Sequence, residues 1–512
     1  MKKDVKAKNK SARDVLTTSA GTPVHNNSDS LTAGLHGGNM LADAWLLEKM
    51  QHFNRELIPE RRMHAKGSGA FGTFTVTGDI TKYTRASIFS KIGKQTPMLA
   101  RFSLANGEKA SADAERDVRG FALKFYTDTG NWDLVGNNTP VFFMRDTFRF
   151  VDFNHAAHRH PATNLRDNAS LWDFWTRTEE SFHQVTITMS DRGIPLSYRH
   201  MHGFSSHAFS FFDKNNKRTY VKFHFESMQG IKNLTDKEAA KIIGTDRDSY
   251  QRDLYYAIQN AEYPKWKMSV QLMTEKQAEE HYENPFDITK VWRHKEFPLH
   301  EVGIFELNRN PDNYYVQIEQ AAFSPASVID GIGFSPDKLL QGRIFGYKDA
   351  QMYRLGVNHD KIPVNMPHCP VNDYHRDGAM RTDDNFGDKP NYEPNSFGAW
   401  QDSKNLQAPP KEAFGDVGRY PATKSRPDDN YYQAGLLYNL MKSKEKQALI
   451  DNTTAHIADA KENVKYRHCA HCYLAHPDYG KKMTSALMLD IEKVVLLSKM
   501  TFEDRIKATE PI

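Results

Sequence analysis

Alternation with period two runs from about residue 71 to about residue 307 and limits the architectures open to this chain. Phe74 and Val76 alternate with Thr73, Thr75 and Thr77, and Val185, Ile187 and Met189 with Thr186, Thr188 and Ser190. Val221, Phe223 and Phe225 alternate with Lys222, His224 and Glu226, and Met268, Val270 and Leu272 continue the pattern. Such segments read as half-buried antiparallel strands, and this many favour a closed barrel over an open sheet. Helical spacing interrupts them around residues 161–181 and 235–262. Before the barrel, Asn39 stands where it can cap a helix through Trp45, Leu47 and Met50 to about Leu57.

Beyond residue 307 the chain turns rich in Pro, Asn, Asp and Gly, with little periodicity outside one helix. A segment of that length inside a compact protein needs a function or a surface to lie on. Its aromatics Tyr374, Phe386, Tyr392, Phe397 and Trp400 point to packing, for instance on a neighbouring subunit. From about 429 to 506 helical spacing returns through Leu436, Leu437 and Leu440, then Leu487, Ile491, Val494 and Val495. The expected organisation is an α+β chain: arm and helix over 1–60, barrel over 61–307, wrapping segment over 308–425, and helical region over 426–512.

Composition excludes several classes of function. With 68 basic and 64 acidic residues and a net charge of +4, nucleic acid and anionic membrane are not expected partners. No run of some 18 apolar residues predicts a membrane span. The basic first 14 residues lack an apolar stretch behind them, so they read as a disordered arm, not a secretory signal. The last three residues, Glu510-Pro511-Ile512, are not a peroxisomal address. Three cysteines cannot form a disulfide framework, which suits a reducing cytoplasm. The 30 Phe and 22 Tyr suit walls around a large flat ligand.

The helix expected over residues 335–356 carries the first chemical signal. Ser335 and Pro336 suit an N-cap and first position, and Gly356 suits a stop. Arg343, Tyr347 and Arg354 then share a face. A guanidinium one turn from a phenol favours the phenolate, and so does a metal on its oxygen. Gly342 and Gly346, each costing roughly 1 kcal/mol against alanine mid-helix, make sense if a flat group presses on the backbone. An ordinary amphipathic helix with a buried tyrosine is the alternative that this segment alone leaves open.

Three further segments stand out: Arg61-Arg62-Met63-His64-Ala65-Lys66, Arg101-Phe102-Ser103, and Val135-Gly136-Asn137-Asn138-Thr139. Gly67-Ser68-Gly69-Ala70-Phe71-Gly72 matches a dinucleotide fingerprint in letters only, because a strand pattern follows it where a helix is required. His468-Cys469-Ala470-His471-Cys472 lacks a second cysteine pair and reads as a reduced, partly exposed helical segment without a metal.

Together the Arg343-to-Gln351, His64, Ser103 and Asn137 segments resemble the haem catalases of the small-subunit, tyrosine-ligated kind, over about residues 20–480. The resemblance implies an eight-stranded antiparallel barrel, a homotetramer, and haem b as cofactor. It implies disproportionation of hydrogen peroxide to oxygen and water through a ferryl intermediate, protecting the cell against peroxide. Tyrosine is the established axial ligand of catalase haem, so the resemblance makes Tyr347 the iron ligand with Arg343 as its charge partner. It further implies His64 as acid–base residue, Asn137 as companion and Ser103 as support for the imidazole. Arg61, Arg101 and Arg354 would pair with haem propionates, Phe142 and Phe150 would line the distal pocket, and Asp117 would sit in the peroxide channel. Met63 beside His64 is expected to face the peroxide site, where its sulfur is open to oxidation. Ala105, in place of valine, is expected to widen the channel. His183, Ser190, Arg192, Val291, Trp292 and His294 match an NADPH site on the outer barrel. There Glu226 replaces lysine, and His202 and Phe204 replace Asn and Tyr. Two rival readings remain: a peroxidase or peroxide-isomerising enzyme on the same barrel, and a haem- or NADPH-binding protein without turnover.

Overall fold

The structure is a computed structural model describing residues 14–410, 415–420 and 429–510. The expected disordered arm, residues 1–14, lies outside the described residues except for Asp14. Two compact units divide the chain, Met1–Pro59 and Glu60–Ile512. In the first, helix α1 (Ala44–Phe53) is capped by Asp43, whose side chain accepts from Leu46 N–H at 3.2 Å. Asn39 is not the cap: its side chain is taken by Ser30 Oγ at 3.1 Å. The helix therefore starts later and stops earlier than its apolar spacing predicts.

Among its described residues the second unit contains ten antiparallel strands. They are β1 (Gly67–Val76), β2 (Gln95–Leu104), β3 (Arg119–Thr127), β4 (Gly130–Asn137), β5 (Gly203–Phe204), β6 (Phe209–Phe212), β7 (Arg218–Ser227), β8 (Lys265–Thr274), β9 (His300–Arg309) and β10 (Ile332–Gly333). Eight of them close a barrel in the order β1-β2-β3-β4-β5-β7-β8-β9, with β9 pairing back on β1. Strands β6 and β10 extend the sheet beside β7. The interior is aromatic. Phe102 stands opposite Phe121 with ring centroids 5.1 Å apart, Phe121 stacks on Phe225 at 5.5 Å, and Trp266 stacks on Phe305 at 5.0 Å. Because successive side chains alternate, Ser103, Gly120 and His224 beside them face outward.

Helices fill the connections. After β4 come α2 (Thr147–Ala157), α3 (Asn168–Thr176) and α4 (Phe182–Met189), and after β7 come α5 (Asp236–Thr245) and α6 (Ser249–Gln259). Residues 185–189, expected as a strand, lie in α4. All of α4 is buried, so its apolar spacing carries no one-sided signal. Its threonines are satisfied helically: Thr186 Oγ1 donates to Phe182 O and Thr188 Oγ1 to Gln184 O, each at 3.0 Å. The short α7 (Glu275–Glu280) follows β8, and the wrapping segment contributes α8 (Lys338–Leu355) and a one-turn π-helix, Tyr315–Glu319. Three of its aromatics pack on one another, Phe386 and Tyr374 lying 5.1 and 6.3 Å from Trp400, whereas Tyr392 and Phe397 are exposed.

The C-terminal region is α9 (Tyr432–Leu440), α10 (Ser443–His456), α11 (Glu462–Ala475), α12 (Pro477–Ala486), α13 (Ile491–Ser498) and α14 (Phe502–Ala508). Here α11 corrects a second expectation, because His468, Cys469, His471 and Cys472 are fully buried, not partly exposed. The middle of the helix is enclosed by α3, α12 and α13. Cys472 Sγ lies 3.4 Å from His468 Nε2, and among the described residues no third ligand joins them. Burial pushes the Cys469 thiol up to about 12, so it stays protonated. No helix among the described residues is long and apolar enough to cross a membrane.

Several buried histidines make this fold sensitive to acid. Burial pulls His183 and His224 down to about 4 and His468 to about 3. Unfolded, each titrates near 6.5, so below that pH the unfolded chain binds protons that the folded chain refuses. Their contribution is complete above pH 6.5 and is lost as pH falls toward 3. The urea midpoint should therefore drop steadily between pH 7 and 4.5, and His468→Gln should flatten that slope. A midpoint constant over this range would contradict the account.

Candidate active site

Two halves of the site meet at β4. Ser103, Gly120 and Asn137 stand opposite one another across β2, β3 and β4, in one row on the outer face of the barrel. His64 reaches this row from the segment before β1. Its φ of +61° lies in the left-handed region, a conformation that costs a non-glycine residue on the order of 1–3 kcal/mol. Two contacts hold it there: its N–H donates to Ala105 O at 3.1 Å, and its Nδ1 lies 3.0 Å from Ser103 Oγ. A Cβ on Gly120 would stand 2.4 Å from Ser103 Oγ and 2.6 Å from His64 Nδ1, so only glycine lets the two meet over β3. Burial, then the charges of Arg101, Arg343 and Arg61, pull His64 down to about 3. The imidazole is neutral at physiological pH. Asn137 is buried beside it in the row, although no hydrogen bond joins the two side chains among the described residues.

Met63, Ala105, Phe142 and Phe150 share one apolar cluster, with Ala105 and Phe142 buried and the other two at its margin. Asp117 backs Ala105, accepting from Asn106 N–H at 2.7 Å, Asn106 Nδ2 at 3.0 Å and Val118 N–H at 2.8 Å. Burial outweighs these bonds and lifts its carboxyl to about 6.

The other half sits on α8. Arg343 Nη2 donates to Tyr347 Oη at 2.5 Å and to Val135 O, on β4, at 2.9 Å. The guanidinium lies 4.6 Å from the centre of the Tyr347 ring. Helix α8 is capped by Asp337, not by Ser335. Ser335 Oγ donates instead to Ala208 O at 2.5 Å, while Asp337 accepts from Leu339 and Leu340 N–H at 2.9 and 3.1 Å. The other oxygen of Asp337 lies 2.6 Å from His207 Nδ1, and both side chains are buried. Burial outweighs that carboxylate, and with Arg343 nearby it holds His207 below the usual histidine range. Gly356 ends the helix as expected, at φ +96°. The two mid-helix glycines differ: a Cβ on Gly342 would strike Thr147 Oγ1 at 2.2 Å, whereas one on Gly346 meets nothing within 4 Å. Gly342 thus serves the packing of α2, and only Gly346 borders open space.

Arg61 and Arg354 flank the buried Glu319, and Arg101 stands within electrostatic reach of both. Arg61 Nη2 donates to the carbonyls of Ile318, Glu319 and Ala321 at 2.8–2.9 Å, and Arg354 Nη1 to Glu319 O at 2.7 Å. Glu319 Oε2 and Oε1 lie 3.6 and 3.7 Å from Arg61 and Arg354. Burial and mutual repulsion press the arginines: Arg61 falls well below its usual value and Arg354 to about 10. Three guanidiniums against one carboxylate leave an excess of two positive charges. Arg61 Nη1 and Arg101 Nε are buried without a hydrogen-bond partner among the described residues. These features fit a group that brings two carboxylates.

A further set of predicted residues runs from α4 to the outer face of β7. His183 Nδ1 lies 3.3 Å from Thr289 O, Ser190 Oγ accepts from Arg192 N–H at 3.3 Å, and Val291 N–H donates to Gln433 Oε1 at 2.8 Å. Buried Trp292 lies 5.3 Å under Lys222 Nζ, and the His294 ring is 5.6 Å from that of His224. Glu226, on β7, pairs with Lys267 at 2.7 Å.

Gly120, His207, Asp337 and Glu319 were not singled out by sequence reasoning. An acidic residue just before an amphipathic helix was a usable signal for Asp337; the others carry none. Asp337→Ala should cost about 1 kcal/mol for the lost cap, plus about 1–3 kcal/mol for stranding His207. Chemical denaturation measures the sum, and a loss below about 0.5 kcal/mol would mean that neither contact matters.

The chain matches the family described as Catalase over residues 17–399, and that described as Catalase-related immune-responsive over residues 424–487. It is 57% identical to a catalase of Aliivibrio fischeri over 479 residues, covering 93% of this chain and 99% of the relative. A catalase of Staphylococcus warneri is 56% identical over 490 residues, covering 94% and 96%. Among solved structures, catalase A from Saccharomyces cerevisiae superposes with a TM-score of 0.89 at 42% identity, covering 92% of this chain and 99% of that one. A fungal catalase gives the same TM-score at 41% identity, covering 93% and 96%. With a family match over most of its length and relatives above half identity, this chain belongs to the catalase family.

Proposed function

We propose that this chain disproportionates hydrogen peroxide to oxygen and water, using a haem held between His64 and Tyr347. The observation that carries the reading is the convergence at β4 of a neutral His64 beside Asn137 with the Arg343–Tyr347 pair. Tyr347 would ligate the iron, and Arg61, Arg101 and Arg354 would take the two haem carboxylates that their excess charge calls for. Met63, Phe142 and Phe150 would line the distal side. When bound, the haem supplies the two-electron chemistry that side chains lack.

The side chains handle protons and position. With Nδ1 engaged by Ser103, His64 has Nε2 left for the substrate. It takes a proton from one peroxide oxygen and returns it to the other, which leaves as water. Asn137 donates its amide hydrogens to the peroxide and orients it. A second peroxide then gives up two electrons and two protons, becoming oxygen, so two peroxides yield one oxygen and two waters. General acid–base help of this kind contributes about 10²–10⁴ in rate. Asp117 is ionised above pH 6, and as a carboxylate it orders the entrance beside Ala105. Arg343 would hold the Tyr347 oxygen in place to serve as the iron ligand through their charge-assisted hydrogen bond.

The same reading includes a nicotinamide dinucleotide on the outer barrel against His183, Ser190, Arg192, Val291, Trp292 and His294. It also includes a homotetramer, and a cytoplasmic setting that suits the free cysteines Cys369, Cys469 and Cys472. The segments 1–60, 61–307, 308–425 and 426–512 are proposed as arm, barrel, wrap and helical region.

Oxygen release from hydrogen peroxide by the purified, haem-containing protein is the direct test, and its absence despite bound ferric haem would remove the reading. Gly120→Ala should lower turnover by about 10² or more by displacing His64, while leaving haem content intact. Equal turnover in that variant would show that the row tolerates a Cβ. Arg343→Ala should reduce haem content on purification; normal content with normal activity would make the arginine merely structural.

A further inference from the structure

We infer that Asn138 is a positioning residue for the peroxide reaction, holding Asn137 in its row through a side-chain bond to the backbone of Arg119. The inference rests on the reading in which Asn137 orients peroxide beside His64.

Gly120 and Asn137 are the last register pair of β3 and β4, and the next would be Arg119 with Asn138. A continued antiparallel ladder would exchange two backbone bonds at that pair. One of them is kept: Asn138 N–H donates to Arg119 O at 2.8 Å. The other is replaced. Arg119 N–H donates to Asn138 Oδ1, also at 2.8 Å, so the side-chain amide stands in for a backbone carbonyl. The chain is leaving the sheet here, since Pro140 offers no N–H and keeps Thr139 out of the helical region. Thr139 is fixed in turn, its carbonyl accepting from Ser206 Oγ at 2.9 Å and its Oγ1 donating to Val141 O at 3.0 Å. Asn138 therefore closes the ladder one step beyond the site residue, where the strand itself no longer does.

Asn137 needs this closure because its side chain has no anchor of its own. It is buried and makes no side-chain hydrogen bond among the described residues. Its amide is thereby left for substrate, and its place is left to the backbone. The other end of the clamp is rigid. Arg119 is fully buried, and its guanidinium donates to the carbonyls of Asp113 at 3.0 Å, Glu115 at 2.5 Å and Gly193 at 3.2 Å, and to that of Asp117. One residue thus ties the end of β4 to the loop that carries Asp117. Without the Asn138 acceptor the Gly120–Asn137 pair becomes the frayed end of the ladder, and Asn137 is free to move from His64.

Purified holoprotein should be compared as wild type, Asn138→Ala, Asn138→Gln and Asn138→Asp, by oxygen release per bound haem and by hydrogen exchange at the Arg119 amide. Asn138→Gln keeps the amide but moves it by one methylene, whereas Asn138→Asp keeps an acceptor at the same reach. In the Ala and Gln variants turnover at high and at low peroxide should fall together, by about 10–10²-fold, because the lost orientation acts on the reacting oxygens. Asn138→Asp should keep most of the wild-type rate. The Arg119 amide should exchange slowly in wild type and Asn138→Asp, and faster in the other two. If Asn138→Ala does not fold, the glutamine variant decides alone. Faster exchange with unaltered turnover in that variant would make Asn138 merely structural, and unaltered exchange would remove the clamp. A rate lost equally in Asn138→Asp would deny the role of the acceptor. Wild-type holoprotein that releases no oxygen would instead remove the reading of Asn137 on which the inference rests.

Discussion

Hydrogen bonding along the ladder from β1 through β5 to β7 lines up Gly67, Ser103, Gly120, Asn137, Phe204 and His224, and alternation turns them all out of the barrel. A slip of one residue in any pairing would carry Ser103 or Asn137 into the aromatic interior and bring Phe102 or Gly136 outside. The stacked interior of Phe102, Phe121, Phe225 and Phe305 forbids such a slip, because a polar side chain there would lose its partners. The core thus acts on function through register. It sets the strand positions from which the outward groups meet His64.

Within that frame the site is electrostatically unfinished. Two arginines flank one buried glutamate with a third close by, and two of their nitrogens have no hydrogen-bond partner among the described residues. The same positive field suppresses protonation of His64, together with its burial. A dianionic ligand edge would relieve the arginines while leaving the imidazole neutral, since burial is the larger cause. Strain points the same way. His64 sits at a positive φ that the chain holds through Ala105 and Ser103, an expense that a merely structural histidine has no reason to incur.

Much of this was legible in order of residues, and the exceptions have physical causes. Strands β1, β7 and β8 follow from alternation because one side of each meets the core and the other does not. That logic fails for residues 185–189: α4 is buried all round, so apolar spacing no longer reports which element it is. In α11 the histidines and cysteines look polar in sequence yet lie inside, because neighbouring helices cover the middle of that helix. Ser335 and Asn39 were reasonable caps by type, but each hydroxyl or amide was claimed by another partner, leaving Asp337 and Asp43 to cap. Gly342 looked like room for a ligand and proved to be room for Thr147.

Motif spacing by itself determined the chemistry on offer: a tyrosine one turn from an arginine, a histidine among basic residues, and an asparagine in the segment that follows Val135. It did so because those pairings are local, within a turn or a strand. Only the tertiary structure decided that Gly120 must lack a side chain, that Glu319 sits among the arginines, and that His207 braces the cap of α8. These contacts join residues far apart in the chain, and no local pattern encodes a contact made by strand register and helix packing.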